Sequence, residues 1–262
     1  MKRMILWATL MLVAFTNAVA STHNNNESVV TKEYRLSGFT GLRNEHAVTV
    51  HYTQGNSYSI KAEGSEQQIE RLKIEVKDGV LVVSHEQKDK KGNNEKNTIS
   101  LYITSPDMNR LENKGVLNFN AESLKTGDFH LTNNGVIHLE VDKLSCKDAE
   151  CILKGVSNLD VKMDAKSLKI NDSGVTKGDI EVKADQLDID SKGVDDFDVK
   201  FKGKGVNVKK SGTGTITLDV DCQHLDVTNS GVGKLAISGT ADDTSIQNSG
   251  VTKIDVSKLN KF

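Results

Sequence analysis

Apolar residues recur at a constant spacing through the second half of this chain. Residues 227–238, "VTNSGVGKLAIS", and residues 246–257, "IQNSGVTKIDVS", are nearly the same segment. A glycine stands at the centre of each repeat, and successive glycines lie 20, 20, 19, 19, 19, 19 and 19 residues apart: Gly115, Gly135, Gly155, Gly174, Gly193, Gly212, Gly231 and Gly250. A period kept over so many units predicts a repeat architecture.

Within each repeat, apolar residues occupy alternate positions on both sides of the glycine. The residues six positions after it are all apolar: Ala121, Val141, Val161, Ile180, Val199, Leu218, Ile237 and Val256. In the column four positions after it, only Gly178 interrupts the series. Alternation with a period of two predicts two short strands per repeat rather than a helix.

One such repeat cannot bury its apolar face alone, but repeats stacked in register can. We therefore predict an all-β fold, a parallel β-solenoid (β-helix) of about eight regular coils of 19–20 residues. Strands about 4.8 Å apart would make this rod roughly 40 Å long. The repeated glycines are predicted to meet either a positive φ or a very close approach of successive coils.

Polar residues stand two positions before most of the glycines, as Asn113 and Asn133 do. Stacked amide side chains can hydrogen-bond along a solenoid, so we interpret this column as a structural turn ladder. The alternative is a repetitive surface that binds a glycan or an ice-like lattice.

The chain before the repeats divides into three parts. Residues 1–20 carry two cations, an apolar run and the ending Ala18-Val19-Ala20, which is the pattern of a cleavable signal peptide. Residues 21–33 are predicted to be a flexible segment, and residues 34–262 a single β-solenoid domain. Within that domain, residues 34–105 form a less regular β section, either first coils or a cap, with Asp78-Gly79 as a tight hairpin turn. Residues 106–262 carry the regular repeats.

Composition restricts the classes of partner. Cleavage of the signal peptide takes the formal charge from −2 to −4, because Lys2 and Arg3 leave with it. Without a basic excess, nucleic acid is not a predicted partner. No segment after the signal peptide is apolar enough to predict a membrane span.

The residues that could carry chemistry form no strong motif. No Cys or His pair has a zinc-ligand spacing, whereas Cys146 and Cys151 could close a small local disulfide after export and leave Cys222 unpaired. Carboxylates crowd one coil, but most alternate with core residues and are predicted to face solvent: Asp188, Asp190, Asp195, Asp196 and Asp198. We predict no catalytic residue, no metal ligand and no cofactor.

Tyrosine rings, which can form sugar-binding platforms, occur only in the N-terminal section of the chain. Tyr52 and Tyr58 are the predicted glycan contacts.

The order of the motifs resembles a known family. Residues 38–64, "GFTGLRNEHAVTVHYTQGNSYSIKAEG", precede residues 72–86, "LKIEVKDGVLVVSHE", then residues 99–116, "ISLYITSPDMNRLENKGV", and finally the SGV repeats. Over roughly residues 35–257 this arrangement resembles the putative auto-transporter adhesin, head GIN domain family. The resemblance implies an exported protein of a Gram-negative bacterium with a β-helical fold, and it supplies no catalytic residues.

We therefore predict a non-enzymatic exported protein of the periplasm or cell surface, with an adhesin-like or structural role. Its expected partner is a glycan or protein of the cell surface or extracellular space, and open solenoid ends would allow a homo-oligomer. The alternatives are a glycan-binding module and a β-helical carbohydrate-active enzyme. Nearly insertion-free coils from Gly155 to Gly250 argue against an enzyme cleft.

Overall fold

The computed structural model describes residues 28–86 and 99–261. The predicted signal peptide and residues 21–27 lie outside the described residues. Within these ranges the N-terminal section contains one helix, α1 (Glu66–Arg71), and the strands β1 (Val29–Tyr34), β2 (Gly41–Asn44), β3 (Ala47–Gln54), β4 (Ser59–Ser65), β5 (Leu72–Lys77), β6 (Val80–His85) and β7 (Ile99–Ser105).

The regular section is built from strands alone within the described residues. These are β8 (Arg110–Asn113), β9 (Val116–Ala121), β10 (Leu124–Lys125), β11 (Asp128–Asn133), β12 (Val136–Ser145), β13 (Asp148–Leu153), β14 (Val156–Asp164), β15 (Ser167–Asp172), β16 (Val175–Ser191), β17 (Val194–Lys210), β18 (Thr213–Asn229), β19 (Val232–Asn248) and β20 (Val251–Lys261).

Each strand of a coil pairs in parallel with the corresponding strand of the next coil. β11 pairs with β13, and β12 pairs with β14. From β16 to β19 a single strand of 17 residues runs from one glycine turn to the next. The fold is therefore the parallel β-solenoid of about eight turns that the spacing predicts.

The core is a stack of apolar side chains inside the coils. In the column six positions after each glycine, Val199 and Leu218 are fully buried. Gly178, which breaks the column four positions after the glycine, makes room for a neighbour. A Cβ on Gly178 would lie 2.7 Å from Cδ1 of Phe197, the residue that pairs with it in the next coil. A large ring thus fills the space of two positions.

The turn glycines are required by close approach of the coils. None of the eight has a positive φ. A Cβ on Gly155 would instead lie 2.0 Å from the carbonyl oxygen of Gly135, and one on Gly174 would lie 2.1 Å from that of Gly155. The sequence allowed either a positive φ or a close approach of successive coils, and the structure supports the close approach.

A ladder of buried asparagines stabilises the same turns. Asn44 donates through Nδ2 to Oδ1 of Asn113 at 2.9 Å, and Asn113 donates in the same way to Asn133 at 2.9 Å. Each of the three is fully buried. Asn133 also accepts from the backbone N–H of Gly135 at 3.1 Å. The polar column is thus internal from Asn44 to Asn229, as expected for a structural ladder, and only Asn248 in the last coil is exposed.

The N-terminal section supplies both coils and a cap. β2 pairs in parallel with β6 and β8, and β3 pairs in parallel with β7 and β9, so β2–β3 and β6–β7 lie in the coil stack. β5 joins β6 through the predicted hairpin, in which Asp78 (φ 50°) and Gly79 (φ 76°) both have a positive φ. This is the geometry of a two-residue turn between antiparallel strands.

The cap is antiparallel and reaches further back than predicted. β4 pairs antiparallel with β7, and β1 pairs antiparallel with β4. Helix α1 begins at a capping box in which Ser65 and Gln68 exchange hydrogen bonds. Residues 29–33, predicted to be flexible, form most of β1, because pairing with β4 satisfies their backbone groups.

The other end of the solenoid is less covered. Among the described strands, β20 pairs with β19 alone. The core-column residues Ile246, Ile254, Val256 and Leu259 are only partly buried. The described part of the rod therefore has a covered first end and a more open last coil.

Candidate functional site

Three outward-facing side chains on adjacent strands form the candidate contact surface. His51 of β3 is opposite Tyr102 of β7, which is opposite Lys61 of β4. The rings of His51 and Tyr102 stack with centroids 5.0 Å apart and an interplanar angle of 20°. Lys61 Nζ lies 5.3 Å from the Tyr102 ring centre. We call these three residues the aromatic surface.

Strand alternation places this surface outside the core. In β7, Ile99, Leu101 and Ile103 are buried, so Tyr102 faces solvent and is 41% exposed. Partial burial is the main cause that raises the pKa of the Tyr102 hydroxyl, which keeps it protonated and able to donate at neutral pH. Lys61 is held by Glu63, whose carboxylate oxygen lies 2.6 Å from Nζ.

The predicted glycan contacts lie elsewhere. Tyr52 is only 4% exposed; its hydroxyl donates to the carbonyl oxygen of Ser105 at 3.1 Å, and its ring stacks on Phe119. Its prediction as a sugar contact is wrong, because Tyr52 shares the inner face of β3 with Val48 and Val50. Tyr58 is partly buried, with its ring 5.0 Å from that of Phe39. The alternation of inward and outward side chains along β7 would have identified Tyr102 as the exposed tyrosine.

The outward row that contains the aromatic surface continues along the rod as carboxylates. Asn120 pairs with His51, and the following coils place acidic residues in register: Glu140, Asp160, Asp179 and Asp198. This acidic row would repel an anionic ligand that extends from the aromatic surface along the coils. No three His, Cys, Asp or Glu side chains come together as a metal site within residues 28–86 and 99–261.

A second exposed feature follows the glycine turns. The residue after each glycine lies outside the core, and those that are valine are exposed: Val116, Val136, Val156, Val175, Val194, Val232 and Val251. They pair in register from coil to coil, with Thr213 between Val194 and Val232. We call this line the valine ridge. It is an apolar strip that is interrupted once, at Thr213.

One predicted solvent-facing carboxylate is buried. Asp195 stands two positions after Gly193, in register with the buried Thr176, and the side chains of Asp195 and Lys210 are both 0% exposed. Lys210 occupies the same column as Asn133 and Asn229, two positions before the glycine. The sequence prediction placed Asp195 in solvent because its side chain is charged, although its position in the repeat belongs to a buried column.

The cysteines are free thiols in the structure, without the predicted Cys146–Cys151 bridge. Burial raises the pKa of Cys151 to about 12 and that of Cys146 to about 11. Burial likewise raises the pKa of Cys222 to about 11. At neutral pH all three are therefore protonated and weak nucleophiles.

The match to a family covers the N-terminal section and the regular coils. The family model described as "Putative auto-transporter adhesin, head GIN domain" matches residues 38–204 and 176–261. The chain belongs to this family. The first stretch that matches the head GIN domain family contains all three residues of the aromatic surface.

Solved structures support the same fold for this head GIN domain chain. A putative adhesin from Bacteroides fragilis shares 24% identity, with 87% of this chain and 96% of that chain covered and a TM-score of 0.64. A putative lipid binding protein from Parabacteroides distasonis shares 18% identity, with 90% and 98% covered and a TM-score of 0.54. At these identities the likeness concerns the fold. No curated protein matches the sequence.

Across the part of the head GIN domain chain that the structure describes, no helix has both the length and the apolar character of a membrane span.

Proposed function

We propose that this protein is a non-enzymatic, exported adhesin-like protein that binds a surface saccharide through its aromatic surface. The observation that carries the proposal is the exposed row of His51, Tyr102 and Lys61 on three paired strands. The Tyr102 hydroxyl, the imidazole nitrogens and the ammonium supply hydrogen-bonding groups. The ring bodies between them supply apolar contact, and saccharides present both hydroxyl and C–H groups.

A rigid scaffold favours this use of the three side chains. They project from paired β-strands and not from a loop, so little conformational entropy is lost when a ligand binds. The adjacent row of Glu140, Asp160, Asp179 and Asp198 disfavours acidic polysaccharides. We therefore expect neutral or amino-containing saccharides to bind in preference to uronic-acid or sulfated ones.

The binding test is a glycan array followed by titration of each hit with the purified protein. The Tyr102→Ala variant should weaken binding by about tenfold or more, the order of effect expected when a central aromatic contact is removed. His138→Ala is the matched control, because His138 is an outward-facing residue of a regular coil with no part in the aromatic surface. Equal binding by wild type and Tyr102→Ala would contradict the proposal.

The same titration separates a binding protein from an enzyme. A bound oligosaccharide should be recovered with its length and reducing ends unchanged after prolonged incubation. The appearance of shorter products or of double bonds at new chain ends would favour the carbohydrate-active enzyme instead.

Surface location is the second part of the proposal. Protease added to intact cells should digest this protein while a periplasmic control protein survives. Protection until the cells are lysed would place the protein in the periplasm and contradict an adhesive role.

A second candidate function is assembly with copies of the same chain, which the valine ridge favours. Because successive coils other than that of Thr213 contribute a valine at the same spacing, the ridge of one copy matches that of another in several coil registers. Burial of exposed apolar side chains against each other would drive such side-by-side contact.

A further inference from the structure

The buried pair Lys210–Asp195 has an unusual geometry for a solenoid core. Lys210 Nζ lies 3.2 Å from both Oδ1 and Oδ2 of Asp195, and 3.3 Å from the carbonyl oxygen of Gly212. Because Nζ is equidistant from the two carboxylate oxygens, it also lies close to the carbon between them. Neither side chain has any exposed surface.

A buried ion pair of this kind is costly to form. Both groups lose their hydration, and their mutual attraction often does not recover that loss. Most other members of the column avoid the cost with neutral groups, as Asn113, Asn133 and Asn229 do. Joining the amine and the carboxyl as an amide would remove both charges and keep a polar group in the turn.

A second carboxyl lies in the same cluster. Asp172, Ser191 and Lys210 are successive members of one column, paired in register. Asp172 is buried, and its Oδ2 has no hydrogen-bond partner, while Oδ1 accepts from Thr176 at 2.7 Å. Burial is the main cause that raises the pKa of Asp172. The hydroxyl of Ser191 donates to Asp195.

We propose that Lys210 and Asp195 condense into an intramolecular isopeptide bond. Within the pair, Lys210 first gives one ammonium proton to the Asp195 carboxylate. Nζ then attacks the carboxyl carbon, a C–N bond forms, and the C–O bond to the hydroxyl breaks. One proton from nitrogen leaves with that hydroxyl as water, so no oxidant or reductant is needed. Asp172 relays that proton, taking it from the nitrogen and giving it to the leaving oxygen.

The scaffold supplies what this reaction lacks in solution. Amines and carboxylic acids do not condense in water, where both are charged and solvated. Here bulk water is excluded, and the reacting atoms are held in contact by flanking strands, conditions that confer high effective concentration. Because Asp195 and Lys210 are near the two ends of β17, the bond would close one coil into a covalent ring.

The test is the intact mass of the purified wild-type chain after reduction and denaturation. The protein should be lighter than its sequence by one water molecule. Trypsin should leave residues 193–200 joined to residues 210–234, since Lys210 would be no cleavage site. The joined peptide locates the loss and distinguishes it from dehydration elsewhere, such as at Asp78-Gly79. A full sequence mass, with cleavage after Lys210, would overturn the proposal.

Variants assign the roles. Lys210→Met and Asp195→Ala should each restore the full mass. Asp172→Asn should increase the unlinked fraction, and an unchanged fraction would remove Asp172 from the mechanism. Lys202→Met is the matched control: it breaks the exposed 2.7 Å pair with Asp221 and should keep the mass deficit. Loss of the deficit in this control would contradict the assignment to Lys210.

Discussion

At the turn glycines, the distance to the preceding coil decides which residue can be present. A methyl group on the glycine Cα would meet first the carbonyl oxygen of the glycine one coil earlier, as between Gly155 and Gly135. The sequence predicts the glycine positions fully, since the period stays at 19 or 20 residues. It does not distinguish close approach from a positive φ, because either demand selects glycine.

Replacing one of these glycines should destabilise the fold without any change in polarity. In Gly155→Ala, the new Cβ would meet the Gly135 oxygen at 2.0 Å, so the coils must move apart. We expect a loss of about 1–3 kcal/mol in the free energy of unfolding, measured by urea denaturation.

Gly127→Ala is the matched control for that experiment. A Cβ on Gly127 would have no atom within 4 Å, and its φ is not positive. Its unfolding free energy should stay close to that of wild type. A similar loss in both variants would show that close approach of the coils is not the cause.

The alternation of inward and outward side chains along a strand also explains which site residues could be predicted from the sequence. Tyr102 alternates with Ile and Leu, so its exposure follows from the local pattern. Tyr52 and Asp195 stand at inward positions of their strands, and both are buried. Their residue types suggested an exposed position, but column position decided it. The stacking of His51 on Tyr102 depends on pairing between distant strands, which local spacing does not encode.

At the scale of the element, the buried asparagine ladder holds successive strands in register. Asn133 makes four hydrogen bonds through its side chain: from Asn113 and Gly135, and to the carbonyl oxygen of Val156 and Oγ of Ser157. Leu153 occupies the same column one coil later, so an apolar side chain also fits this position.

Truncation of the ladder should cost more than loss of an exposed amide. Asn133→Ala leaves buried polar groups without partners, and we expect a loss of about 1–3 kcal/mol in unfolding free energy. Asn158→Ala, at an exposed position of β14, should change it by less than about 0.5 kcal/mol. Equal effects in thermal or urea unfolding would show that the ladder does not stabilise the stack.

The topology of the N-terminal elements was less accessible to sequence reasoning. In space, the coil β2–β3 lies between the coil β6–β7 and the coil β8–β9. In the chain, β2–β3 precedes both of them. Alternation predicts that these strands exist. Their spatial order comes from pairings between residues far apart in the chain, so the first coils and the cap could not be told apart.

At the scale of the whole molecule, the exposed features differ along and around the rod. The aromatic surface lies near the covered end, whereas the valine ridge extends over the regular coils. A ligand of limited size would occupy the aromatic surface. Only a partner as long as the rod could cover the valine ridge.

The valine ridge makes a prediction about association. If copies contact each other through it, changing Val156, Val175 and Val194 together to Ser should convert the associated species to monomer in sedimentation velocity. The matched control changes the adjacent outward column, Asn158, Lys177 and Asp196, to Ser. A wild-type protein that is monomeric at all concentrations, or a control that dissociates equally, would contradict assembly through the ridge.

The in-register stack of 19-residue coils has a genetic consequence. A tandem duplication of one coil would insert a unit whose two faces already match its neighbours, leaving the cap and the aromatic surface unchanged. Such a duplication would lengthen the rod by about 4.8 Å, the spacing of one strand. An insertion that is not close to a whole coil of 19 or 20 residues would break every column beyond it. Rod length is therefore the property that gene rearrangement can alter in discrete steps, with the aromatic surface held constant.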